Sequence, residues 1–146
     1  MNHDVWDQEA ETFDGEPDHG LTDPAVRAAW RELLLSALPA APALVADLGC
    51  GTGTIARLLT DEGYTVDGLD FSPQMIQRAR AKVPESRFVV ADAATPDLPA
   101  AAYDVVFSRH VLWAMTDPAE AFGRWLKLLK PGGIAVLVEG NWSTGA

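Results

Sequence analysis

Apolar residues recur along this chain with two alternating periods. Val26, Trp30, Leu33, Leu34, Ala37 and Leu38 fall at helical spacing, behind Asp23 as an N-cap and Pro24 at the first helical position. Pro39 to Pro42 ends that helix, and a short apolar run over about 43–48 predicts a strand. The next helix runs from Gly53 to about Glu62, with Gly63 as its C-terminal cap. Residues 64–69 then read as a second strand, ending on Asp70. Ser72-Pro73 opens another helix, with Met75, Ile76 and Ala79 on its apolar face and Pro84 as its stop. A third strand over 87–91 ends on Asp92, and a loop with Pro96 and Pro99 leads to a fourth, over 103–107, ending near Ser108. Asp117-Pro118-Ala119-Glu120 resembles a capping box, and its helix is expected to bury Phe122, Trp125, Leu126 and Leu129. Lys130-Pro131-Gly132-Gly133 breaks that helix before a fifth strand over 134–138. Trp30 and Trp125 sit on helical apolar faces and read as core.

Strands that alternate with helices and are themselves continuously apolar form parallel sheets covered on both faces. The expected fold is therefore α/β: a doubly wound, mostly parallel sheet, five strands present, with helices on both faces. Ligands of such sheets bind at the strand C-termini, near the switch in strand order.

The sharpest local feature lies at the first of those C-termini. Asp47-Leu48-Gly49-Cys50-Gly51-Thr52-Gly53 joins the first strand to the following helix. Gly49, Gly51 and Gly53 let the backbone turn sharply and lie close to a ligand, and a helix N-terminus favours a polar or negative group. A dinucleotide turn reads G-x-G-x-x-G; here the third glycine comes one place early, and Thr54 stands where that pattern wants glycine. A tight β–α connection without a ligand is the plainer alternative.

Composition narrows the classes. The 146 residues suffice for one domain with a real core, and their formal net charge of −10 argues against a nucleic-acid partner. Eight acids, Asp4 to Asp23, precede the first basic residue, Arg27. Residues 1–23 are accordingly expected to be a flexible acidic arm, carrying Trp6 and Phe13, that folds over a site, and 24–146 the domain proper. No apolar run approaches a membrane span, and the N-terminus lacks the basic and apolar regions of a secretory signal, so a cytoplasmic location is expected. The single cysteine, Cys50, makes neither an internal disulfide nor a metal site, and no metal is expected.

Three more polar features fall at strand ends. A carboxylate at Asp70 can accept both hydroxyl hydrogens of a ribose. A carboxylate at Asp92 can accept from an adenine amino group, with the Ala93 amide reaching a ring nitrogen. Ser108-Arg109-His110 follows the fourth strand. Either acid can instead cap the next helix.

Together with Leu69-Asp70-Phe71-Ser72-Pro73-Gln74-Met75, Ala91-Asp92-Ala93, Tyr103-Asp104-Val105-Val106 and Leu129-Lys130-Pro131-Gly132-Gly133, the glycine turn resembles class I S-adenosylmethionine-dependent methyltransferases over residues 43–139. The resemblance implies a Rossmann-like domain that takes S-adenosylmethionine as cofactor, gives S-adenosylhomocysteine as product and methylates a small-molecule acceptor. It implies cofactor contacts from Asp47, Gly49, Gly51 and Gly53, with Asp70 on the ribose, Phe71 and Met75 flanking the adenine, and Asp92 with Ala93 on its edge. Ser108 and Arg109 would face the methionine portion, and the arm with Phe13 and His19 looks like a lid. The family's sheet normally continues past the fifth strand, so the resemblance implies either a fragment, truncated there, or an association such as a homo-oligomer that covers the exposed fifth strand. His110 is a candidate base or a residue that shapes the pocket, and Trp113 packs on an acceptor or on the core; neither is assigned as catalytic. Two other readings stay open: a binding module for S-adenosylmethionine without turnover, and a nicotinamide-dependent oxidoreductase, against which the early third glycine speaks.

Overall fold

Three of the four α-helices among the described residues begin in the same way. In the computed structural model, which describes residues 23–109, 111–112 and 115–138, a polar side chain caps each of the three and proline takes the first position. Helix α1 (Pro24–Ala37) is capped by Asp23, which accepts from the Ala25 amide at 2.8 Å. Strand β1 (Leu44–Leu48) leads to α2 (Thr54–Asp61) and β2 (Thr65–Asp70). Helix α3 (Pro73–Lys82) is capped by Ser72, whose hydroxyl accepts from the Met75 amide at 3.2 Å. Strands β3 (Arg87–Val90) and β4 (Tyr103–Arg109) follow, then α4 (Pro118–Leu126), capped by Asp117 at 3.1 Å from the Glu120 amide, and β5 (Leu129–Val138). Such caps are each worth about 1 kcal/mol. Helix α2 differs: its cap is Gly53, in the left-handed region and without a side-chain bond. The expected arm with Phe13 and His19, the candidates His110 and Trp113, and residues 139–146 lie outside the described residues.

The sheet order is β3-β2-β1-β4-β5, and all four pairings are parallel. From β1 the chain moves outward to β2 and β3, then returns to the other side of β1 as β4. The C-terminal ends of β1 and β4 therefore form the switch point at which such sheets bind ligands. Side-chain alternation divides the core. Val45, Val66, Val105 and Phe107 pack with Leu34 of α1 and with α2 and α3 on one face. Ala46, Leu48, Leu69 and Val106 pack with Ala121 and Trp125 of α4 on the other.

Three expectations change. Helix α4 ends at Leu126, which is 44% exposed, and Leu128 enters the core in its place. The amides of Lys127 and Leu128 close tight bonds to Arg124 and Trp125, which turns the chain before Leu129. Leu129 is already in β5, opposite Tyr103, while Ile134 lies opposite Val105. Lys130–Gly133 is thus an excursion inside the strand and does not precede it. In α1, Leu34 is buried but Leu33 is 53% exposed, because the helix meets the core along the narrow stripe of Val26, Trp30 and Leu34.

Candidate functional site

The glycine turn is strapped to β2. The amides of Gly49 and Cys50 both donate to the Leu69 carbonyl, at 2.8 and 2.9 Å, and the Gly53 amide donates to the Cys50 carbonyl at 3.1 Å. Gly49, Gly51 and Gly53 have φ of +79°, +56° and +86°, values that L side chains rarely adopt. A Cβ on Gly49 would stand 2.4 Å from Val111 Cγ2, so the chain leaving β4 is seated against the turn. Gly49→Ala is expected to cost roughly 2 kcal/mol of stability, from backbone strain plus the displaced valine, as measured by urea unfolding.

Asp70 braces the same turn. Its Oδ2 accepts from the Gly51 amide at 3.0 Å and its Oδ1 from the Ser72 amide at 3.0 Å. The cap of α3 is Ser72, so Asp70 spans the glycine turn and the entry to α3. A carboxylate offers about four acceptor positions, enough to brace a turn and to meet a ribose. Beneath the turn, Lys82 donates to the hydroxyls of Thr52 and Thr54, both at 3.2 Å. This lysine lies at the end of α3, and no sequence motif pointed to it.

Asp47 and Arg109 occupy the switch point. Asp47 pairs with Phe107 across β1 and β4 and is only 3% exposed. Burial pushes its carboxyl from the ordinary 3.8 up to about 7; the charge of Arg109 opposes that rise, and Asp70 adds to it. Arg109 Cζ lies 5.1 Å from the ring centroid of Trp30, a cation–π distance. Beside it, the Ser108 hydroxyl is fully buried and has no hydrogen-bond partner among the described residues.

On the other side of the turn, Asp92 is exposed and accepts from the Ala94 amide at 2.8 Å. Helix α4 holds this segment by two bonds. Trp125 Nε1 donates to the Ala93 carbonyl at 2.7 Å, and Arg124 donates to the Ala94 carbonyl at 3.2 Å. Phe71, Asp92, Ala94, Met115, Glu120 and Arg124 are among the residues that line a cleft of about 310 Å³. Met75 is 1% exposed, a buried core residue, and is not among the residues that line the cleft. The sequence placed Trp125 in the core, which is correct, but its indole N–H also fixes the Asp92 segment. Trp125→Phe keeps an aromatic side chain, removes that bond and leaves the space of the indole's second ring unfilled. A loss of roughly 2–4 kcal/mol is expected from thermal unfolding, because the Ala93 carbonyl is left unpaired and the fully buried site gains a void.

The arrangement thus brings the glycine turn, Asp70, Asp47 and Arg109 to one point, and Phe71 and Asp92 to a cleft beside it. The family described as "Methyltransferase domain" matches residues 46–137. The trans-aconitate 2-methyltransferase of Methylobacterium radiotolerans is 41% identical over 105 residues, which are 70% of this chain and 40% of that protein. The 2-methyl-6-phytyl-1,4-hydroquinone methyltransferase of a Synechocystis species is 38% identical over 66% of this chain and 32% of its own length. The solved S-adenosylmethionine-dependent methyltransferase of Mesorhizobium loti superposes with a TM-score of 0.67 at 34% identity, over 73% of this chain and 51% of that one. This chain therefore spans two fifths or less of those two curated relatives.

Proposed function

As the chain belongs to the methyltransferase-domain family and has its class I, S-adenosylmethionine-dependent fold, we propose that it transfers a methyl group from S-adenosylmethionine to a small-molecule acceptor. The observation that carries this reading is the glycine turn braced by Asp70 at the switch point of the sheet. The residues fit the cofactor. The three left-handed glycines turn the backbone sharply at the strand end where the methionine and ribose portions would pass. Asp70 would hold the ribose hydroxyls, and Phe71, Asp92 and the Ala93 amide would hold the adenine in and beside the cleft. Asp47 and Arg109 would face the amino-acid end.

The sulfonium of the bound cofactor supplies an already activated methyl group. The chain's own contribution is positioning: the strapped turn and the braced acid fix the donor against a rigid sheet, which lowers the entropic part of the barrier. The two curated relatives are named for small organic acceptors of different chemistry, and that breadth supports a small acceptor for this chain without selecting one. The net charge of −10 supports an acceptor other than nucleic acid. No helix among the described residues is long and apolar enough to cross a membrane. A cytoplasmic location and self-association through the β5 edge complete the proposal, and fractionation and sedimentation test them.

Calorimetric titration with S-adenosylhomocysteine, with NADH as control, tests the cofactor. Micromolar binding of the first and none of the second is expected; a folded chain that binds neither ligand overturns the reading. Transfer of labelled methyl groups to a panel of small carboxylic acids and phenols then tests turnover, and binding without any transfer overturns the enzymatic part.

A further inference from the structure

Arg109 closes β4, and two residues later Val111 rests against Gly49. The arginine is therefore anchored beside the glycine turn. Asp47 lies one strand away on the same face of the sheet, since it pairs with Phe107 and side chains two residues apart on a strand point the same way. The positive charge of Arg109 acts on the Asp47 carboxyl. On its other side the guanidinium meets Trp30 of α1, at 5.1 Å from Cζ to the ring centroid. A guanidinium over an indole face is held by a cation–π attraction, and an aromatic surface on one side restricts where that charge can lie. An opposite pair, one acid and one oriented arginine, matches the ammonium and carboxylate of an amino acid.

Resting on the cofactor reading above, we infer that Trp30 is a positioning residue that holds Arg109 for the α-carboxylate of the cofactor's methionine portion. Helix α1 thereby belongs to the site and does more than cover the sheet.

The test compares two ligands that share the adenosyl thioether: S-adenosylhomocysteine, which carries the amino-acid group, and 5′-methylthioadenosine, which lacks it. Trp30→Leu is expected to lower affinity for the first by about five- to tenfold and to leave the second unchanged, whereas Trp30→Phe keeps most of the affinity. Arg109→Gln should give the same selective loss, and adding Trp30→Leu to it should change nothing further. Equal losses for both ligands, or additive losses in the double variant, overturn the inference by reducing Trp30 to packing. Wild-type protein that binds neither ligand overturns the cofactor reading together with the inference. Wild-type binding of both with no selective loss in the variants overturns the inference alone.

Discussion

Asp70→Ala is expected to weaken S-adenosylhomocysteine binding by about 100-fold or more. Two hydrogen bonds from ribose hydroxyls to a charged carboxylate are worth roughly 3–4 kcal/mol together, which corresponds to about two to three powers of ten in Kd. The same carboxylate receives the Gly51 and Ser72 amides, so its removal also loosens the turn that the cofactor would cross. Calorimetry on a variant shown to be folded measures the loss. Asp70→Asn separates the two contributions: it keeps an acceptor for the turn but loses the charge, and an intermediate affinity is expected. Unchanged affinity in the alanine variant would remove Asp70 from the ribose.

The second large effect is on stability. Burial raises the Asp47 carboxyl from 3.8 to about 7, so the folded chain holds this proton more tightly than the unfolded one. An acid shifted upward stabilises the fold fully below its unfolded value, and that contribution is lost as pH rises through the folded value. Unfolding free energy is therefore expected to fall between about pH 4 and pH 7, by up to roughly 4 kcal/mol from this group. Asp47→Asn should flatten that slope, since an amide neither titrates nor carries charge into the core. Glu85 and Asp104 are shifted downward, by Arg57 and by the Leu44 amide respectively, so their opposite slopes lie at lower pH. All other titrating groups are common to both proteins, and the difference between wild type and variant isolates Asp47. Urea unfolding at pH 4.5, 5.5, 6.5 and 7.5 measures it; parallel slopes in the two proteins would show that Asp47 is ionised throughout.

Much of this was legible in the sequence because its causes are local. A proline behind a capping side chain starts α1, α3 and α4 wherever it stands in the fold, since the bonds run only two or three residues along the chain. Glycines at 49, 51 and 53 announced backbone conformations that other residues resist, and the structure places all three there. Continuously apolar strands between amphipathic helices predicted a parallel sheet covered on both faces, and all described pairings are parallel. The acids at strand ends were visible as candidates for the same reason.

Other features depend on which strands become neighbours. The order β3-β2-β1-β4-β5 puts Asp47 beside Arg109 and Gly49 beside Val111, pairs separated by about sixty residues of chain. Helical spacing marked Trp30 and Trp125 as apolar. It did not show that one ring would lie by a guanidinium, or that the other's N–H would hold the Asp92 segment. Leu33 and Leu126 satisfied the same periodicity and are exposed, because spacing gives the direction of a side chain and not the extent of the surface it meets. The sequence by itself determined the elements, their caps and the chemistry available at their ends. The tertiary structure decided which of those ends meet, because that choice rests on contacts between residues far apart in the chain.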